Sequence, residues 1–236
     1  MMEIKERIDN LNWAEIKAGM DARGYAVVKS VLTADECASL ANQYIDDALY
    51  RKTIVMERHH YGRGEYKYFK YPLPVIVQQL RQHVYPHLAP IANNWMELLN
   101  KPTRFADTLD ELLQYCHQHE QLRPTPLILQ YAEGGYNAMH QDLYGEVFFP
   151  IQSVFILDEP GVDYEGGEFI LMEQKPREQS RAMVLKPGKG DMILFTTSYR
   201  PAKGGKGYHR VNMKHGIAEI TNGRRHSMGI IFHDAK

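Results

Sequence analysis

The second half of the chain limits the fold most. From residue 127 onward, short β-prone runs follow one another: LILQY, VFFPIQSVFIL, GEFILM, RAMVL, DMILF, HRVNM and MGIIF. Glycine and proline punctuate them at Gly134-Gly135, Pro160-Gly161, Gly166-Gly167, Pro187-Gly188 and Gly204-Gly205. Many short strands with turn signals between them predict an antiparallel sandwich or barrel, because such runs are too short for helices and too numerous for one open hairpin. A chain of 236 residues with 44% hydrophobic content supplies enough apolar surface for one large core.

The first half reads differently. Residues 3 to 20 carry an amphipathic pattern that predicts a helix ending near Gly19, and GYAVVKSVL (24–32) predicts a strand. Thr33-Ala34-Asp35-Glu36 and Thr108-Leu109-Asp110-Glu111 both fit the capping box, in which a threonine side chain and a glutamate three residues on satisfy each other's backbone donors. Residues 75 to 99 have helical periodicity, but Pro86 and Pro90 each remove a donor, which predicts a kink or two shorter helices. The expected architecture is α+β: a helical N-terminal layer (1–123) against a β-sandwich (124–236), folded as one domain over 1–236.

Composition removes several function classes. Formal net charge is −1, so no global basic field draws the chain to nucleic acid. Only Cys37 and Cys116 are present, too few for a disulfide framework or a cysteine-based zinc site. MMEIKERIDN has no apolar core of a signal peptide, and the apolar runs are too short for a membrane span, so a soluble cytoplasmic protein is expected. One local stretch, residues 51–70, holds six Lys/Arg, two Glu and four aromatics. Such interleaving suits single-stranded nucleic acid or a pocket-lining role for Arg63, Tyr66 or Tyr68.

The chemistry-bearing segment is YNAMHQDLYG (136–145). On an extended strand, residues i and i+2 share a face, so His140 and Asp142 aim an imidazole and a carboxylate at one point. Two histidines and one carboxylate form the facial triad of non-heme Fe(II) oxygenases. The third ligand must come from a later strand, where His215 and His209 are the candidates. His215 is preferred, because only from there does Arg225 follow at compact spacing; His209 is the alternative, as distal ligand or as a residue near metal or substrate. Arg225 and Ser227 alternate onto one face, where they suit the far carboxylate of 2-oxoglutarate, with the Tyr131 phenol as a further donor. Asn222-Gly223 predicts a two-residue hairpin turn carrying the chain back from His215 to Arg225. Arg224, His226, His233, His59-His60, His117 and His119 are expected to be surface or packing residues.

The pattern Tyr131…His140-x-Asp142…His215-x-Ile217…Gly223-x-Arg225 resembles the prolyl-hydroxylase-like branch of the Fe(II)/2-oxoglutarate-dependent dioxygenases. RGEYKYF, RPTPL, HQDLYG, GGEF, HGI and GIIFHDA, spread over nearly the whole chain, are similar to a bacterial oxygenase family described as acting in oxidative demethylation of damaged DNA. The match to the alkylation-repair dioxygenases themselves is partial. Leu129 stands where they carry an asparagine, and Arg225 lies nearer His215 than their paired arginines lie to the distal histidine. The resemblance implies a double-stranded β-helix (jelly-roll) core, Fe(II) on His140, Asp142 and His215, and 2-oxoglutarate on Arg225, Ser227 and Tyr131. It also implies O2 as oxidant, ascorbate as an auxiliary reductant, and hydroxylation or oxidative demethylation with release of succinate and CO2. The substrate class is left open between small molecule, peptide and nucleobase. A non-catalytic jelly-roll that keeps a metal for structure is the competing reading, but such a site has no use for a downstream carboxylate-binding arginine.

Overall fold

The computed structural model describes residues 2–142 and 145–236. The helices are α1 (Ile4–Asp9), α2 (Trp13–Arg23), α3 (Ala34–Asn42), α4 (Val75–Leu98) and α5 (Leu109–Gln118). The strands are β1 (Tyr25–Val28), β2 (Tyr50–Val55), β3 (Gly62–Arg63), β4 (Glu65–Phe69), β5 (Leu127–Ala132), β6 (Tyr136–His140) and β7 (Ile151–Ile156). They continue as β8 (Tyr164–Gly166), β9 (Phe169–Gln174), β10 (Arg181–Leu185), β11 (Met192–Thr196), β12 (Tyr199–Gly204), β13 (Gly207–Ile217) and β14 (Ile220–Ile230).

Two sheets form. The larger runs β1-β11-β7-β14-β5-β4-β2, with β8 on β14; the smaller runs β10-β9-β13-β6-β3, with β12 on β13. The named ladders are antiparallel throughout. This is the jelly-roll of the expected class, with helices covering one face of the larger sheet. That sheet is buried on both sides, so β7 and β11 are buried at every position rather than at alternate ones. Alternation still sorts their side chains. Ile128, Phe155, Leu194, Met228 and Ile230 join Val84, Tyr85, Leu88 and Trp95 of α4 in one core. Tyr131, Val154, Ile193 and Phe195 face the smaller sheet and meet Leu171, Val211 and Met213 in a second.

Both capping boxes form as expected, at Thr33/Glu36 and Thr108/Glu111. Three expectations do not hold. Residues 3–20 make two helices rather than one, because the Asn12 side chain accepts from the Glu15 amide and starts α2 afresh. Gly19 does not end that helix. It lies inside, where a Cβ would stand 3.2 Å from the Tyr25 carbonyl, and the left-handed Gly24 (φ 79°) ends it instead. Residues 75–98 form one continuous helix through Pro86 and Pro90 rather than the two shorter helices offered as one alternative. Each proline costs a donor, but burial of Val84, Tyr85, Leu88, Ala89, Ile91, Ala92 and Trp95 along the same segment outweighs it.

The third correction concerns the route from His215 to Arg225. Asn222-Gly223 is not a hairpin turn. β13 belongs to the smaller sheet and β14 to the larger, so the chain crosses between sheets at residues 218–219. Gly223 sits within β14 at φ 80°, where a Cβ would fall 2.3 Å from the Asp163 carbonyl. Only glycine admits that approach of the β8 side of the sheet. His215 and Arg225 therefore face the interior from opposite sheets.

Candidate metal centre

His140 is the last residue of β6, and β6 pairs with β13 so that His140 stands directly across from His215. Their rings lie 4.1 Å apart between centroids. Asp142 follows just beyond the strand end, with Oδ1 3.5 Å from His140 Nε2 and Oδ2 3.2 Å from His215 Nε2. One ligand atom from each of the three residues falls within 4.8 Å of the others, a cluster sized for one ion. His209, on the same strand as His215, lines a separate surface cleft with Lys17, Arg200 and Tyr208. The structure thus brings together His140, Asp142 and His215, and leaves His209 outside.

The donors suit a divalent metal of intermediate softness. His140 Nδ1 is 2.7 Å from the Ala138 carbonyl, an acceptor only, so Nδ1 carries the proton and the Nε2 lone pair faces Asp142. Burial opposes ionisation of Asp142, but the two histidines beside it prevail and hold its carboxyl well below the usual range. Burial, reinforced by His140, pushes His215 down and keeps it neutral, the ligating form. For His140, burial is overcome by the Asp142 carboxylate and the Ala138 carbonyl, and its pKa rises. Phe169 stacks parallel to the His215 ring at 6.0 Å and Phe195 leans on it at 4.8 Å, which fixes the imidazole plane.

The triad opens onto a cavity of about 420 Å³ between the sheets. Its walls show the strand period: Leu127, Leu129 and Tyr131 from β5, Ser227 and Gly229 from β14, Gln152 and Val154 from β7. Arg225 shares the phase of Ser227, and its Nη1 donates to Ser227 Oγ at 3.1 Å. The guanidinium is 1% exposed and lies between the rings of Tyr131 and Tyr164, at 5.9 and 5.8 Å. Among the described residues its Nε has no hydrogen-bond partner and no carboxylate pairs with Arg225. A buried cation without an internal anion, beside the buried Tyr131 phenol, suits an external carboxylate. The neighbouring Arg224 is exposed on the opposite face.

Other expectations resolve around this site. His226 binds Asp158 through Nδ1 at 2.8 Å and packs outside the cavity. His233 is buried and accepts from the Phe149 amide. In 51–70, Tyr66 lines the cavity with His60 and Tyr61, whereas Tyr68 packs in a small cluster with Ile54, Leu127 and Ile231. Arg63 is exposed on β3, outside the cavity wall. Lys67 is buried in an ion pair with Asp47, and Arg51 donates to the Pro124 carbonyl, so much of this stretch is paired strand. Sequence reasoning missed Gln152, whose Nε2 donates to Asp142 Oδ2 at 2.8 Å. A lone glutamine inside the apolar run VFFPIQSVFIL was the available signal.

A jelly-roll with a His/Asp/His cluster at the mouth of its barrel and a buried arginine within defines a chain of the non-heme oxygenase class. A family model described as "Oxygenase, catalysing oxidative methylation of damaged DNA" matches residues 64–235, and the chain belongs to that oxygenase family. Uncharacterized protein Rv2227 of Mycobacterium tuberculosis (strain ATCC 25618 / H37Rv) is 44% identical over 167 residues, covering 71% of this chain and 72% of that protein. Among solved structures, a Pseudomonas putida prolyl-4-hydroxylase superposes with a TM-score of 0.56 at 14% identity, covering 95% of this chain and 99% of its own. A Burkholderia pseudomallei oxidoreductase of the 2OG-Fe(II) oxygenase family gives 0.54 at 14% identity, over 96% and 93%. No helix among the described residues is long and apolar enough to cross a membrane.

Proposed function

We propose that the chain is an Fe(II)- and 2-oxoglutarate-dependent dioxygenase that hydroxylates, or oxidatively demethylates, a C–H bond of its substrate with release of succinate and CO2. The observation that carries this reading is the pairing of the His140/Asp142/His215 cluster with the uncompensated Arg225, which lies behind Ser227 and Tyr131 of the same cavity. His140, Asp142 and His215 would hold the metal. Bound there, Fe(II) with O2 and 2-oxoglutarate supplies the oxidising power. Arg225 and Ser227 bind the far carboxylate of 2-oxoglutarate, and the Tyr131 hydroxyl is the further donor. Leu127, Leu129 and Val154 keep the cavity dry, which strengthens the arginine's attraction for an anion. The chain acts as one domain over 1–236, since Tyr66 of β4 and Ser227 of β14 line the same cavity. Succinate formation from 2-oxoglutarate with Fe(II), with ascorbate as auxiliary reductant, tests the reading. Absence of any iron-dependent turnover, with or without substrates, would sink it.

A nucleic-acid substrate is the second reading, favoured by the family's description and by the rim of the cavity. His59 and the half-exposed Tyr61 stack at 5.3 Å, and Lys52, Arg58, Arg63 and Lys70 are exposed in the same segment. Aromatic faces and exposed cations in one segment suit a base and its phosphates. Substrate-stimulated succinate release from alkylated oligonucleotides, prolyl peptides and small molecules separates the classes.

A further inference from the structure

Asp142 lies past the end of β6, where the backbone ladder no longer holds it. A ligand off the strand needs other restraints to stay in place. Two carboxamides supply them. Gln141, between the two ligands, donates both amide hydrogens to backbone carbonyls, Ser198 at 2.7 Å and Met213 at 2.8 Å. Those carbonyls belong to one assembly, because the Met213 amide donates to Ser198 at 2.8 Å and Met213 stands two residues before His215. Gln141 thereby ties the His-x-Asp segment to the strand that carries the distal histidine. From the opposite sheet, the buried Gln152 donates to Asp142 Oδ2 at 2.8 Å.

We infer that Gln141 and Gln152 are positioning residues for the metal site, gripping Asp142 through its backbone from one sheet and through its carboxylate from the other. The inference rests on the ligand assignment proposed above. The residue type matters. A carboxamide donates without carrying charge, so it orients a carboxylate without competing with a cation for it. Lysine or arginine in place of Gln152 would neutralise Asp142, and glutamate would repel it. Gln141 needs two donors on one nitrogen, which glutamate and methionine lack. Neither glutamine touches metal or co-substrate in this account; each acts through Asp142.

The test is anaerobic titration of the metal-free protein with Co(II), read by its visible absorption and by affinity, for wild type, Gln152→Leu, Gln152→Glu, Gln141→Met and His140→Ala. Loss of a ligand's supporting partner typically weakens metal binding about 10–100-fold. The expected result is that loss for Gln152→Leu and Gln141→Met with an altered Co(II) spectrum, a larger loss for Gln152→Glu, and melting temperatures near wild type. Gln152→Glu and Gln141→Met nearly preserve shape, so they read out the donor even if the leucine variant folds poorly. Wild-type affinity and an unchanged spectrum in both glutamine series, while His140→Ala fails to bind, would overturn this inference and leave the ligand assignment standing. A wild type that binds no metal would overturn both.

Discussion

Replacing Arg225 with methionine separates what the fold needs from what the co-substrate needs. The guanidinium is 1% exposed, donates to Ser227, keeps an unpartnered Nε, and lacks an acidic partner among the described residues. A buried cation without an anion carries an uncompensated desolvation cost, which an apolar group of similar size removes. Arg225→Met should therefore melt at or above the wild-type temperature without ligand. With 2-oxoglutarate the order reverses. Losing a desolvated charge pair costs about 2–5 kcal/mol, or about 30-fold to several-thousand-fold in affinity. At 100 times its dissociation constant, 2-oxoglutarate stabilises the wild type by about 2.7 kcal/mol, which is about 5–10 °C for a chain of this size. The variant should show at most about a third of that shift. Differential scanning fluorimetry over a 2-oxoglutarate series, with Arg224→Ala as the exposed neighbour, measures both effects. If ligand-free Arg225→Met loses several kcal/mol, the arginine is a structural member of the core. If 2-oxoglutarate shifts the variant and wild type alike, the co-substrate binds elsewhere.

Three further outcomes are expected. His140→Ala, Asp142→Ala and His215→Ala should each abolish Fe(II) binding in anaerobic titration, whereas His209→Ala should keep it; the reverse pattern would move the distal ligand to the other cleft. His233 is held neutral by burial, reinforced by the Arg81 charge, at about 4. The unfolded chain takes up this proton near pH 6.5 and the folded chain does not until about 4, so stability falls as pH drops through that window, by about 3 kcal/mol. Urea unfolding of metal-free protein should show this slope and His233→Gln should lose it; an equal slope in both would place the titration elsewhere. Any affinity for single-stranded DNA should depend on salt and fall when Lys52, Arg58, Arg63 and Lys70 are neutralised together; a steep salt dependence that survives would locate the surface elsewhere.

The sequence by itself determined the elements whose signals are local. The two capping boxes, the strand runs from LILQY to MGIIF and the shared face of Arg225 and Ser227 follow from backbone geometry and side-chain period, which need no distant partner. The pattern also marked His140, Asp142 and His215 as candidates. It did not determine how they meet. The tertiary structure decided that α4 runs through two prolines, because packing against the larger sheet outweighs two missing donors. It decided that Asn222-Gly223 is paired strand rather than a turn, because β8 approaches there, and so placed His215 and Arg225 on opposite sheets facing the interior. Gln141 and Gln152 were legible only as polar residues near ligands; their partners, Ser198, Met213 and Asp142, lie 10 to 72 positions away in the chain. Contacts at that separation depend on sheet register, which is fixed by the burial of whole faces rather than by any short run of residues.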